Sequence, residues 1–361
     1  MTIIEINEMI DFISRFMRDS ACKNLVIGGL VGSHPLSYAL DVVTESIDFE
    51  DILILEGCAD FCYINKPFVK NYIPYYYALK NVYGGSLCDD DIPFSRTLFQ
   101  NRIYTKKVVN EDFINKFEFV IINNAHLIDL VYLDEIVKLS KWKCITIVDP
   151  FDIYGEHFLY ATTIVDTLEK QSPIIGFARK LYGYNTYIDK NVPGDIKAGK
   201  ITRRGVGKID GRMHVCDDSD IVNEANQLQI KRPFKRGQRL FVTDNRLEEV
   251  TDDSKETHII TNTSMIVVER AISGNSIPNY LRIYHSRNIF RGFVRYYDPD
   301  SIGADVYDIT VKPANVLHIY DSIYHRYMNT VVSQSKGLTK RELYSITKNS
   351  VNMILCDVKG G

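Results

Sequence analysis

The chain has 361 residues, and its apolar fraction of 45% and charged fraction of 25% exclude a fibrous or wholly disordered protein. Its 43 basic and 46 acidic residues give a net charge of -3, so any nucleic-acid surface must be a local patch. The seven cysteines are irregularly spaced, which predicts reduced thiols and no metal site. No apolar run approaches the roughly 20 residues of a membrane span, so we expect an intracellular, cytoplasmic protein.

Short apolar runs alternate with helical patterns in the first half of the chain. The runs at 25–27, 52–55, 119–122 and 144–148 predict buried strands, and the spacing of apolar residues predicts helices at 5–18 and 131–139. Strands of this kind alternating with helices form parallel sheets that are covered on both faces. The sequence therefore predicts an α/β fold, whose ligands would bind at the carboxyl ends of the strands.

The composition changes after residue 179, where glycine and basic residues accumulate. We predict a first domain at 1–179, an insertion or linker subdomain at 180–257 and a second α/β domain at 258–361, which begins with the run 259–261 and closes with 353–355. The candidates for contact with nucleic-acid phosphates are Lys200, Arg203, Arg204, Lys208, Lys231, Arg232, Lys235 and Arg236. A solvated charged face is the alternative interpretation of these clusters.

The turn after the first predicted strand, residues 29–36, has the length and two of the three glycines of a phosphate-binding loop, GxxGxGK[ST]. Such loops use a lysine to neutralise phosphates and a hydroxyl to bind Mg²⁺. Here Pro35 stands at the lysine position and Leu36 at the hydroxyl position, while His34 replaces a glycine. The turn therefore has the position of a phosphate loop without its chemistry.

Two further turns follow predicted strands and carry changed side chains. Asn123 and Asn124 stand where a Walker B box has two acids, and an amide cannot act as a general base. In the turn at 149–155, Asp152 occupies the position of a glutamine that senses the γ-phosphate. At 343–348, Lys348 aligns with an arginine finger, whose bidentate fork lysine lacks.

These motifs, together with 97–99, 260–263 and 332–339, occur in an order that resembles superfamily 1 helicases, most closely the RecD-like and positive-strand RNA virus types. The resemblance implies two RecA-like parallel-sheet domains with the glycine- and basic-rich insertion between them. It covers most of the chain, from residue 20 to residue 357, apart from the glycine- and basic-rich insertion. Positions that serve the backbone are kept, whereas those that perform the chemistry are changed.

The resemblance therefore predicts a catalytically inactive, helicase-like protein of viral origin, with no catalytic residue, no cofactor and no metal. We expect a platform for single-stranded RNA or DNA, or for viral replication or virion proteins. A purely structural scaffold without nucleic-acid binding is the first alternative. The second is a residual NTPase or helicase that uses displaced groups such as Lys200.

Overall fold

The structure is a computed structural model. It describes residues 2–4, 6–29, 33–58, 60–61, 71–82, 110, 112–159, 163–165, 212–230, 234–243, 248–251, 257–260, 263–272, 279–285, 288–296, 308–314, 316–325, 327–335 and 337–357. The chain divides into two compact units. The described residues up to Val165 belong to unit 1, and those from Arg212 onward belong to unit 2.

Unit 1 contains a seven-stranded sheet in the order β1-β7-β2-β6-β5-β3-β4, in which every neighbouring pair is parallel. Its strands are β1 (Thr2–Ile4), β2 (Asn24–Gly29), β3 (Ile52–Glu56), β4 (Tyr72–Pro74), β5 (Phe119–Asn123), β6 (Lys143–Val148) and β7 (Thr163–Val165). The strands predicted from the four apolar runs are confirmed as β2, β3, β5 and β6. Because the strands are parallel, their carboxyl ends share one edge of the sheet.

Helices cover this sheet: α1 (Ile6–Arg18), α2 (Pro35–Val43), α3 (Tyr75–Val82), α4 (Asp112–Asn115) and α5 (Leu130–Leu139). The first has buried residues at helical spacing, and its Ile13 shares a core cluster with Val43 of α2 and Ile27 of β2. This packing of an apolar stripe on a buried strand confirms the amphipathic helix predicted at the start of the chain. Three short 3₁₀ helices, Phe49–Asp51, Ala125–Leu127 and Ile153–Phe158, lie next to strand ends.

Unit 2 contains a second parallel sheet in the order β16-β8-β17-β18. Its strands are β8 (Arg212–Cys216), β16 (Val316–His318), β17 (Tyr327–Gln334) and β18 (Ser350–Asp357), and its helices are α6 (Ser219–Ile230), α7 (Ile319–Ser322) and α8 (Lys340–Lys348). Helix α6 packs Val222 and Ala225 against Cys216 and Val316. The predicted α/β fold with two parallel sheets is therefore confirmed.

A closed barrel lies between β8 and β16 in the chain. It has the order β12-β13-β14-β15-β9, and β9 closes it by pairing with β12. The strands are β9 (Arg239–Val242), β12 (Met265–Ala271), β13 (Asn279–His285), β14 (Asn288–Tyr296) and β15 (Asp308–Pro313). Buried residues alternate with outward ones, as Ile266 and Val268 on β12 and Leu281 and Ile283 on β13 illustrate.

The run 259–261 was expected to begin the second parallel sheet, and the structure differs there. Residues Thr257–Ile260 form β11, which pairs antiparallel with β10 (Glu248–Thr251) in a separate two-stranded sheet. The second parallel sheet instead includes β8, which lies inside the range 180–257 that was predicted as an insertion. Strand β8 has only five residues, includes the polar His214 and follows a basic cluster, so it lacks the continuous apolar run of the strands in unit 1.

No helix in the part of the chain that the structure describes combines the length and the apolar character needed to span a bilayer.

Candidate functional site

The turn between β2 and α2 places Pro35 and Leu36. Pro35 is the first residue of α2, so the helix begins with a residue that has no backbone N–H. A Cβ atom on Gly29 would lie 2.3 Å from Cγ of Pro35, which shows how closely the proline ring packs on the end of β2. Leu36 packs against the core of unit 1. These two positions therefore present an apolar ring and an apolar chain where a phosphate loop presents an ammonium and a hydroxyl group.

In the described part of unit 1, two non-glycine residues that follow strands have left-handed backbone. His34 immediately precedes α2 with φ 44°, and Asn124 follows β5 with φ 50°. Most side chains adopt this conformation only at a cost of about 1 kcal/mol or more, whereas glycine adopts it freely and asparagine readily. At His34 the backbone thus takes up a glycine-like conformation, although the residue is not glycine.

The side chains at the end of β5 converge on a carboxylate from the neighbouring strand. Nδ2 of Asn123 donates to Oε2 of Glu56 over 2.8 Å, and Nδ2 of Asn124 donates to Oε1 over 2.8 Å. Tyr72 on β4 donates its hydroxyl to the same Oε2 and accepts from Nδ2 of Asn123 at 3.1 Å. We call Glu56, Tyr72, Asn123 and Asn124 the Glu56 network.

Three members of the Glu56 network, Glu56, Tyr72 and Asn123, are buried, and Glu56 itself is fully inaccessible to solvent, whereas Asn124 is half-buried. Burial raises the pKa of Glu56 because the ionised carboxylate loses its hydration, while hydrogen bonds from Tyr72, Asn124 and Asn123 act in the opposite direction. Burial also raises the pKa of the nearby Cys58 thiol well above its ordinary value, and the negative charges of Asp60 and Glu56 add to that shift. The network therefore holds one acid among hydrogen-bond donors, in surroundings that disfavour a second negative charge.

The chemistry of this arrangement is the reverse of a Walker B site. There, two carboxylates present oxygen atoms to a metal ion and to a water molecule. Here, two amides direct N–H groups inward, and Glu56 accepts those hydrogen bonds with both of its oxygens. Among the described residues, no group of three or more His, Cys, Asp or Glu side chains is arranged to hold a metal ion.

The raised pKa of Glu56 predicts a pH-dependent stability. Its ordinary value is 4.5, and the folded chain holds the proton more tightly than the unfolded chain does. The stability contributed by the protonated carboxyl group is therefore fully present below pH 4.5 and is lost as the pH rises through the raised pKa. We expect the wild type to lose stability relative to Glu56→Gln as the pH rises above 4.5, as measured by urea unfolding over a pH series.

The exposed carboxylate of Glu118 provides the control for that experiment. Glu118→Gln should follow the wild type across the pH series. A Glu56→Gln profile parallel to the wild-type profile would show that Glu56 has no raised pKa in the folded chain.

Asp152 lies in the turn after β6 and is fully buried. Its Oδ1 accepts from the backbone N–H of Tyr154 at 3.3 Å, which caps the 3₁₀ helix Ile153–Phe158. Its Oδ2 lies 3.7 Å from Nε2 of His126, whose Nδ1 accepts from the backbone N–H of Asp149 at 3.1 Å. Asp152 and His126 therefore connect the turns after β5 and β6 within the interior of unit 1.

The remaining predicted site residues lie in unit 2 or outside the described residues. Lys348 is half-buried in the last turn of α8, with Nζ 6.0 Å from the ring centroid of Tyr344. Lys235 and Arg236 are exposed on the turn before β9. The other predicted phosphate contacts lie outside the described residues: Lys200, Arg203, Arg204, Lys208, Lys231 and Arg232. Their role in nucleic-acid binding stays a prediction.

Exposed Lys235 and Arg236 are held on a well-supported turn. The backbone N–H of Lys235 donates to Oε1 of Gln238 at 3.1 Å, and Nε2 of this buried glutamine donates to the hydroxyl of Tyr296 at 2.6 Å. Tyr296 in turn stacks on Phe234 with ring centroids 4.6 Å apart. We call residues 235–238 the basic turn.

Solved structures of helicases match almost the whole chain. No protein-family profile matches it, and no curated protein matches it by sequence. The matching structures are similar to this chain in overall fold, so the chain has a helicase-like fold.

The particular neighbours are Pif1 helicases. The Pif1 helicase from Bacteroides in complex with ADP-AlF3 and ssDNA is 12% identical, with a TM-score of 0.52 over 98% of this chain and 92% of that one. Pif1 from Candida albicans is also 12% identical, with a TM-score of 0.51 over 100% and 95%. A third structure, which addresses DNA unwinding at forked dsDNA by two coordinating Pif1 helicases, is 12% identical, with a TM-score of 0.51 over 96% of this chain and 91% of that one.

Proposed function

We propose that this chain is a catalytically inactive, helicase-like protein that binds single-stranded nucleic acid within a viral replication complex. The order of its motifs resembles that of the RecD-like and positive-strand RNA virus helicases. The Glu56 network is the observation that carries the proposal of inactivity. Its two amides stand where the order of motifs predicts a Walker B box, and both donate hydrogen bonds to Glu56.

The P-loop-like turn supports the same proposal independently. Pro35 contributes neither a charge nor an N–H group, and α2 contains no basic side chain at all. Loss of an arginine finger alone lowers phosphoryl-transfer rates by about 10³- to 10⁵-fold. The replaced acids and the missing lysine act on the same step, so we expect no ATP hydrolysis above background with or without an oligonucleotide.

Nucleic-acid binding is supported by the basic turn and by the Pif1 neighbours, two of which were solved with single-stranded DNA bound. Lys235 and Arg236 project into solvent from a turn that Gln238 fixes, so they are available to phosphates. Lysine and arginine contacts of this kind bind the backbone and do not read sequence.

The test is a fluorescence-anisotropy titration of the full chain with labelled single-stranded DNA and RNA, at two salt concentrations, with and without ATP–Mg²⁺. We expect an affinity that falls as the salt concentration rises and that is the same with and without ATP–Mg²⁺. The double variant Lys235→Gln/Arg236→Gln should bind more weakly, and its slope of log affinity against log salt should fall by about 1.4, the value for two lost phosphate contacts.

The matched control removes two exposed charges in unit 1, at the edge of the sheet that contains the amino ends of the strands. Lys23 and Lys141 precede the amino ends of β2 and β6, and Lys23→Gln/Lys141→Gln should bind like the wild type. Absence of binding in every condition would favour the structural scaffold. An ATP-dependent change in affinity, or ATP turnover, would overturn the proposed inactivity and favour the residual NTPase.

A further inference from the structure

The outer surface of the barrel in unit 2 carries an unusual arrangement of side chains. On β13, Leu281 and Ile283 are fully buried in the barrel core. The residues that alternate with them, Tyr280, Arg282 and Tyr284, therefore face outward. We call the outer surface of β12, β13 and β14 the barrel face.

Three arginines form a row across the barrel face. Arg282 on β13 pairs in register with Arg270 on β12 and with Arg291 on β14. Like charges directly opposite each other destabilise a strand pair. The row therefore lowers the stability of the barrel, which favours a functional reason for its presence.

A β-bulge on β12 creates this row. The register shifts between Val268 and Arg270, so Glu269 is the extra residue and Arg270 lies opposite Arg282. Oε2 of Glu269 stays 3.2 Å from Nε of Arg282 and 3.9 Å from Nε of Arg270, and it offsets one of the three positive charges. The bulge thus leaves a net positive row on the surface.

Aromatic side chains flank the arginine row on both sides. Tyr280 lies two residues before Arg282 on β13 and pairs with Phe293 on β14, and their ring centroids are 4.8 Å apart. Tyr284 lies two residues after Arg282. Phe293 is 43% exposed and Tyr284 is 36% exposed, so their rings are accessible. Each flanking row is about 7 Å from the arginines, which is twice the rise per residue of a strand.

We infer that the barrel face is a binding site for single-stranded nucleic acid. Exposed Arg270 and Arg291 would hold phosphates, and the rings of Phe293 and Tyr284 would stack on bases, as aromatic side chains do in sequence-tolerant single-strand binding. Positive charge alone would suit any acidic partner. Accessible aromatic rings on both sides of the charge favour a ligand that carries both phosphates and flat, unpaired bases.

The basic turn adjoins this site. The N–H of Gly237 donates to the carbonyl oxygen of Val268 at 2.7 Å, and the N–H of Val268 donates to the carbonyl oxygen of Gln238 at 2.9 Å. Lys235 and Arg236 are therefore anchored beside the bulge from which the arginine row begins. The inference rests on the proposed function for its class of ligand, and it adds a stacking surface that the sequence had not indicated.

The test separates the charge of the barrel face from its stacking. It compares full-length wild type, Arg270→Gln/Arg291→Gln and Phe293→Leu, using oligodeoxythymidine and an abasic oligonucleotide of the same length. The arginine variant should lower the salt slope by about 1.4 for both probes. Phe293→Leu should weaken binding to oligodeoxythymidine roughly 5- to 150-fold, leave the abasic probe unaffected and keep the salt slope.

Arg15→Gln/Arg18→Gln, which removes two exposed charges from α1, is the charge-matched control and should bind like the wild type. Tyr284→Leu provides a second stacking variant if Phe293→Leu does not fold. If the wild type binds the oligonucleotide and both the arginine variant and Phe293→Leu bind it equally well, this inference is overturned and the proposed function is not. Loss of affinity in the arginine variant alone, with no difference between the two probes, would overturn the stacking site. A wild type that binds neither probe would refute both proposals.

Discussion

Asn123→Asp is expected to lower the free energy of unfolding at pH 7 by about 3–5 kcal/mol. The substitution replaces the Nδ2 donor, now 2.8 Å from Oε2 of Glu56, with a carboxylate oxygen. Two buried carboxylates at that separation cannot both ionise without a large penalty, so the folded chain must bind a proton that the unfolded chain releases. The loss of stability should therefore be larger at pH 8 than at pH 5 in urea unfolding.

A double-mutant cycle with Glu56→Gln assigns the cause. If the repulsion lies between positions 56 and 123, Glu56→Gln should recover most of the stability lost in Asn123→Asp, with a coupling of up to about 3 kcal/mol. Asn110→Asp makes the same chemical change at an exposed position and should be close to neutral. If Asn123→Asp lowers the free energy of unfolding by the same amount in the wild type and in Glu56→Gln, the carboxylate of Glu56 is not the cause of the destabilisation.

Gly57→Ala is expected to cost about 2–4 kcal/mol, because the carboxyl end of β3 has no room for a side chain. A Cβ atom there would lie 2.2 Å from the carbonyl oxygen of Asn124, a backbone atom that cannot move alone. Relief of this clash requires β3 and the turn after β5 to separate. That movement would also weaken the 2.9 Å hydrogen bond from the N–H of Gly57 to the carbonyl oxygen of Asn123.

Cys58→Ala is the neighbouring control for Gly57→Ala. It removes one buried sulfur from the same turn without adding an atom, so it should cost only about 1 kcal/mol. The measurement is the midpoint and slope of denaturant unfolding for both variants. A Gly57→Ala midpoint equal to that of the wild type would mean that the turn after β5 adapts freely.

The sheet of unit 1 was predictable from sequence because each of its main strands is a short apolar run that ends at a glycine, a glutamate, an asparagine or an aspartate. Attention to the residues after the strands identified Asn123 and Asn124 as candidates. Glu56 was missed because one acid after an apolar run has the pattern of an exposed turn residue. Its burial depends on partners that are 16, 67 and 68 positions away. The sequence signal that could have identified the network was the combination of Glu56 at the end of one predicted strand with Asn123 and Asn124 at the end of another.

The barrel was missed for a different reason. In its strands buried residues alternate with outward ones. On β13, for example, Arg282 faces outward between the buried Leu281 and Ile283, and this period of two differs from the continuous apolar runs of unit 1. The arginine row was beyond sequence reasoning altogether, because it depends on the bulge at Glu269 that brings Arg270 into register with Arg282. A register that is set by one extra residue leaves no trace in the local pattern.

The Glu56 network also constrains how this sequence can change over time. A codon change that turned Asn123 into an acid would place a second carboxylate beside Glu56 and lower the stability of the chain. Replacement of Glu56 by a neutral residue would have to come first for the acid at position 123 to be tolerated. The order in which these two positions can change is therefore restricted. In evolutionary terms the network makes acids at this site accessible by one order of substitutions and costly by the other.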